Sequence, residues 1–221
     1  MKRFFVTSIN TDIGKTFVSS LFFNLLGENT CYFKPVQTGC EFYDKNKLIP
    51  DLDYVKNNSK IKNENNFMCS YALKFPVSPH LSSKKTNIEI NISKILKDFD
   101  LISKNFENII VEGSGGVFTP LNEKNYFMYN LIKDLKLNSI LVTNTEVGTI
   151  NNTLLTLSHL KNQNINVSGI VFNKFENLEH EIDNINFIKN YSKINNILKI
   201  PKLNGNFNIN LKEINNFIYN L

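Results

Sequence analysis

The chain has 221 residues, enough to bury a sizeable core in one α/β domain, and its 25 Lys and Arg against 20 Asp and Glu leave a net charge of +5 with no long basic block, so a nucleic-acid surface is not indicated. Cys31, Cys40 and Cys69 are odd in number and form no C-x-x-C, so neither a disulfide framework nor a zinc site is suggested and a reducing compartment is expected. Asp12 and Lys15 interrupt the apolar start, and no run of about eighteen apolar residues occurs, so a soluble, cytoplasmic protein without a membrane partner is expected.

The first strand is predicted over Phe4–Thr7, followed by a polar loop and a helix over Lys15–Leu26. The loop ends in Gly14-Lys15-Thr16, the residues a phosphate loop needs. Gly14 lets the backbone approach a phosphate, Lys15 reaches the β- and γ-phosphates, Thr16 binds Mg²⁺, and the N–H groups of Thr11, Asp12 and Ile13 with those of the helix start face the anion. The common pattern asks for glycine five residues before Gly14, where this chain has Ile9 beside Ser8.

The second strand, Cys31–Lys34, ends on a lysine placed to touch whatever occupies the crevice, with Thr38 and Gly39 close behind. In "IPDLDYV", Asp51 and Asp53 are each a candidate second carboxylate or a helix cap. The Asn- and Lys-rich stretch 56–66 reads as a mobile excursion. A strand over Asn108–Glu112 puts Glu112 at its end, ahead of Gly113, Gly115 and Gly116; a carboxylate there binds Mg²⁺ directly or through water.

Helices over Tyr126–Leu137, Asn151–Lys161, Leu178–Asn190 and Leu211–Tyr219 then alternate with strands over Ser139–Thr143 and Val167–Phe172. The strands are short and nearly all apolar, as strands buried on both faces are. The pattern predicts a doubly wound α/β fold, a mostly parallel sheet with helices on both faces, in the manner of P-loop NTPases, with ligands at the carboxyl ends of the strands. His80, His159 and His180 show no metal-ligand spacing.

Together, the order Thr7-x-x-x-Thr11-x-x-Gly14-Lys15-Thr16, then "KPVQTG", "VSPH", "VEGSGG" and "FTPL", resembles the dethiobiotin synthetases over nearly the whole chain. The family's loop spaces its first glycine where this chain has Ser8. The resemblance implies ATP-dependent closure of a cyclic urea on 7,8-diaminononanoate and CO₂, through a carbamate and a carbamic-phosphoric anhydride. Lys34 is then the catalytic cation. Thr16, Asp51 and Glu112 hold Mg²⁺, Asp51 being preferred over Asp53 by its spacing to Asn58-Ser59.

The resemblance further implies that Thr11, Thr38, Gly115 and Gly116 contact the carbamate and phosphates, and that Asn173 with Pro201 and Leu203 surrounds the adenine. Thr149, Ile150 and Asn151 are to take the substrate's distal carboxylate from the other subunit of a homodimer. The alternative is a switch ATPase of the partition or septum-positioning type. Those proteins usually carry a lysine near the start of the loop, where this chain has Ser8, Ile9 and Asn10.

Overall fold

The structure, a computed structural model, describes residues 1–43, 46–202 and 210–221. Its strands are β1 (Arg3–Ser8), β2 (Thr30–Gln37), β3 (Glu41–Tyr43), β4 (Asn46–Leu48), β5 (Phe67–Ala72), β6 (Asn108–Gly116), β7 (Asn138–Thr143), β8 (Val167–Phe175) and β9 (Ile197–Pro201). The helices are α1 (Lys15–Leu26), α2 (Pro50–Asn57), α3 (Pro79–Thr86), α4 (Ile92–Asn105), α5 (Met128–Asp134), α6 (Thr149–Asn162), α7 (Glu179–Ser192) and α8 (Leu211–Tyr219).

Seven strands form one sheet in the order β5-β2-β6-β1-β7-β8-β9, with every paired neighbour parallel, and β3 and β4 make a separate hairpin. Alternation along β1 shows why both faces are covered. Phe4 and Val6 join the core beneath α1, α2 and α8, whereas Phe5 joins the core beneath α4 and α5. Farther along the sheet, Leu141, Ile170 and Phe172 pack under α6 and α7.

The expected α/β fold is therefore the observed one, and α1 and α8 have the predicted limits. The edge strands β5 and β9, the hairpin, α2, α3 and α4 are additions to the reading. The edge strands lack a continuous apolar run because only part of each is buried. Helix α4 buries Ile95, Phe99 and Ile102, a narrow stripe on an otherwise charged helix. Part of the 56–66 stretch is tied down: the Asn66 amide donates to the carbonyls of Glu28, at 2.6 Å, and Thr30, at 2.7 Å.

The chain runs from β1 outward to β2 and β5, then returns to lay β6 between β2 and β1 before continuing to β7 on the far side. The connection after β1 runs toward β2 and the one after its neighbour β6 runs the other way, to β7, which opens a crevice at the carboxyl ends of β1 and β6, beside β2.

Candidate active site

The loop between β1 and α1 is shaped by left-handed backbone at Asp12, φ 58°, and Gly14, φ 95°. The first helical hydrogen bond runs from Val18 N to Gly14 O, so the N–H groups of Lys15, Thr16 and Phe17 precede it and face an incoming anion. Glycine is favoured at 14 on two counts: its φ is disfavoured for other residues, and an added Cβ would stand 2.2 Å from Asn173 Nδ2, so that the amide would have to turn away. That amide donates to Ile13 O at 2.8 Å, so β8 braces the loop from the side.

Ser8 is the last residue of β1 and is not among the residues with positive φ, so its backbone has no need of glycine. Its buried hydroxyl donates to Asn10 O and accepts from Lys15 Nζ at 3.0 Å. The departure from the family's glycine thus adds a hydrogen bond inside the loop. Burial, and the positive charge of Lys34 nearby, lower the Lys15 pKa to about 8.

A pH dependence follows from that shift. Polyphosphate bound against Lys15 favours its cation, so above pH 8 binding must take up a proton. Nucleotide affinity is expected to fall about tenfold from pH 7 to pH 9, with close to one proton taken up at pH 9. Calorimetry in buffers of different ionisation enthalpy measures both, and affinity unchanged across that range would overturn the assignment. In the unliganded protein the sign is opposite: the folded state holds Lys15 less protonated than the unfolded chain, so this group's contribution to stability rises between about pH 8 and 10.5.

Glu112, fully buried, is the centre of the polar cluster; it lies in the middle of β6, which runs on to Gly116 instead of ending at Glu112 as the sequence predicts. Its Oε1 accepts from Thr16 Oγ1 at 2.9 Å and from Lys34 Nζ at 3.0 Å, and its Oε2 accepts from the Tyr32 hydroxyl at 3.0 Å. Lys34 also reaches Asp51 Oδ2, at 2.5 Å, and Gly113 O, at 3.0 Å. Burial alone would lower the Lys34 pKa, but Glu112 and Asp51 outweigh it and hold the ammonium above its usual value. Burial would raise Asp51, but the Lys34 cation and its hydrogen bond bring it below the ordinary range. Burial, reinforced by Glu112, pushes the Tyr32 phenol well up.

The choice between the two aspartates is visible in α2. Asp51 turns into the cluster, whereas Asp53 Oδ2 accepts from Ile49 N at 2.6 Å and caps the helix start. Two carboxylates and the Thr16 hydroxyl supply oxygen donors of the kind a small hard cation takes, and the Lys34 ammonium is seated between the acids. Among the described residues no cluster of three or more His, Cys, Asp or Glu side chains gathers. Mg²⁺ in nucleotide sites commonly takes only one or two carboxylates, with phosphates and water completing its shell.

A cavity of about 440 Å³ opens here, lined among others by Thr11, Asp12, Lys15, Lys34, Thr38 and Gly115. Gly116 is not among its lining residues and pairs with Ser8 across β1 and β6. Tyr32 and Gln37 were not anticipated. Tyr32 sits two residues before Lys34, on the same face of β2, which was the available signal. Gln37 lines the cavity and has a buried Oε1 with no partner among the described residues. A larger groove of about 540 Å³, against Leu154, Leu157 and Tyr191, has no acidic lining residue.

Other expected residues lie apart. Asn173 is engaged with the loop, Pro201 ends β9 opposite Phe175, and Leu203 lies outside the described residues. Thr149 is buried in a hydroxyl knot with Thr143 and Thr153, and donates to Asn144 O at 2.8 Å, so its side chain serves its own chain. Its N–H also bonds inward, to Glu146 O. Ile150 is half-buried and Asn151 exposed at the start of α6, and none of the three lines the 440 Å³ cavity.

A family model described as an AAA domain matches residues 2–206. ATP-dependent dethiobiotin synthetase BioD of Fusobacterium nucleatum is 40% identical over 217 residues, covering 98% of each chain. The protein of that name from Clostridium perfringens is 39% identical over 228 residues, covering 100% of this chain and 99% of its own. Among solved structures, a putative plasmid partition protein of Borrelia burgdorferi bound to AMPPNP matches with a TM-score of 0.60 at 14% identity, covering 99% of this chain and 97% of that one. The septum site-determining protein MinD of Pyrococcus horikoshii, complexed with Mg-ADP, matches with 0.57 at 15%, covering 91% and 82%. At such identities the structural likeness shows the fold alone.

Proposed function

The chain belongs to the ATP-dependent dethiobiotin synthetases, and from that premise we propose that a single domain over residues 1–221 closes the cyclic urea of dethiobiotin from 7,8-diaminononanoate, CO₂ and ATP. One substrate amine adds to CO₂ and loses a proton, giving a carbamate. A carbamate oxygen attacks the γ-phosphorus as ADP departs, and the neighbouring amine then attacks the carbamoyl carbon, expelling phosphate and losing a proton. No covalent bond to the protein is needed.

The demand on the protein is electrostatic, because two anions, carbamate and γ-phosphate, must meet in line. The observation that supports this reading is the buried Lys34 ammonium between Asp51 and Glu112, beside the phosphate loop. Lys15 and the loop N–H groups bind the phosphates, Lys34 neutralises the reacting oxygens, and the Thr11 and Thr38 hydroxyls with the Gly115 and Gly116 N–H groups orient them. Thr16, Asp51 and Glu112 would hold Mg²⁺, which when bound neutralises phosphate charge. Asn173 and Pro201 border the adenine, with the donor half of Asn173 kept on the loop.

Two copies are proposed to share the site, the first turn of α6 reaching the neighbour's substrate carboxylate through Ile150 and Asn151 and through the end of the helix that Thr149 opens. Support comes from exposed apolar side chains along the same helix, Val147 just before it, Leu155 on it, and Phe118, whose ring lies 4.1 Å from that of His159 toward its far end. Sedimentation of the pure protein as a monomer at micromolar concentration would remove this part. Among the described residues no helix is long and apolar enough to cross a membrane, and no nucleic-acid partner is proposed.

The test of the function is phosphate release from ATP. It is expected only when both the diamine and bicarbonate are supplied, with dethiobiotin formed in equal amount. Equal release without the diamine, or stimulation by DNA or lipid vesicles, would favour a switch ATPase instead.

A further inference from the structure

Glu112 has divided surroundings. Oε1 faces the cavity, where it meets Thr16 and Lys34, while Oε2 is held from within the sheet by a fully buried phenol. Tyr32 packs in the α1-side core with Phe4, Val6 and Ile110, so its ring has little room to follow a moving carboxylate.

We propose that Tyr32 is a positioning residue that confines Glu112 to one-oxygen contact with a divalent cation and so makes the site favour Mg²⁺ over Ca²⁺. This rests on Glu112 being a cation ligand, as read above. Ca²⁺ takes about six to eight oxygens and readily accepts both oxygens of one carboxylate, whereas Mg²⁺ holds to near-octahedral geometry with single-oxygen ligands and retained waters. For Glu112 to chelate with both oxygens, Oε2 must leave Tyr32, and the phenol is then left in the core without an acceptor. That penalty falls on Ca²⁺ and spares Mg²⁺.

The experiment measures ADP binding by calorimetry, in Mg²⁺ and in Ca²⁺, for the wild type, Tyr32→Phe, Glu112→Gln and the double variant, after thermal melting has established that each is folded. Tyr32→Phe is expected to shift the Mg²⁺-to-Ca²⁺ ratio of ADP affinities about tenfold toward Ca²⁺, and to add nothing in the Glu112→Gln background. A ratio within twofold of wild type in Tyr32→Phe, while Glu112→Gln alters the metal dependence, overturns the proposal and leaves the ligand reading standing. The same shift in both backgrounds assigns Tyr32 to packing and also overturns it. If Glu112→Gln leaves the metal dependence unchanged, the ligand reading fails and the proposal with it.

Should Tyr32→Phe not fold, crystals of the wild type with Mg-ADP decide the matter. The cation on Oε1 alone with Tyr32 still on Oε2 supports the proposal, and both oxygens on Mg²⁺ overturns it.

Discussion

Lys34→Gln is expected to lower dethiobiotin formation by about a thousandfold or more while leaving ATP affinity within about tenfold. In the proposed reaction its ammonium neutralises the carbamate and phosphoryl oxygens, while Lys15 and the loop N–H groups would remain to hold the nucleotide. The structure adds a second effect. Glu112 is fully buried, and Lys34 neutralises it together with Asp51, so removing the cation leaves two carboxylates facing each other with less compensation. Breaking a buried pair in this way costs about 3–5 kcal/mol, which in a domain of this size lowers the melting temperature by roughly 10 °C. Added Mg²⁺ is expected to restore much of that loss by taking the charge-balancing role. Melting curves with and without Mg²⁺ separate the two effects, and collapse of ATP binding in a folded, Mg²⁺-stabilised variant would move Lys34 from the reaction to the nucleotide site.

Gly14→Ala is expected to weaken ATP binding by about a hundredfold and to lower the melting temperature by only about 5 °C. An alanine there meets two obstacles. Its φ of 95° is disfavoured for any residue with a Cβ, at a cost of about 1–2 kcal/mol, and the methyl would stand 2.2 Å from Asn173 Nδ2. Either Asn173 gives up Ile13 O or the loop moves, and both disturb the N–H groups that receive phosphate. The double variant Gly14→Ala/Asn173→Ala is expected to recover part of the affinity, since the steric partner is gone while the dihedral strain stays. Affinity within threefold of wild type in the single variant would show that the loop tolerates another backbone path, and its tight fit against β8 would then carry no functional weight.

The two variants probe different kinds of information. Gly14, Lys15 and Thr16 stand side by side in the chain, and their setting between a strand and a helix is readable from local patterning alone. The limits of α1 and α8 and the apolar central strands are readable for the same reason: burial on a regular element repeats with the period of that element. The succession of short motifs adds the family, because their combination and order are specific where each piece is not. So the α/β fold, the phosphate loop and the reaction class were determined by sequence.

Which side chains meet was decided by the sheet order. Lys34 and Glu112 lie 78 residues apart and become neighbours because β6 inserts between β2 and β1. Nothing in the local pattern of either strand encodes that insertion. Asp51 and Asp53 are two residues apart at the start of one short helix, and only the packing of α2 against the sheet turns one toward Lys34 and leaves the other to cap. Tyr32 and Asn173 fall in the same class, for a polar group in an apolar strand signals that it has a partner but not which. The Ser8 hydroxyl finds its partners only once the loop has closed over Lys15. Periodicity reports the face on which a residue is buried, and a hydrogen bond or an ion pair depends in addition on what the remainder of the chain brings to that face.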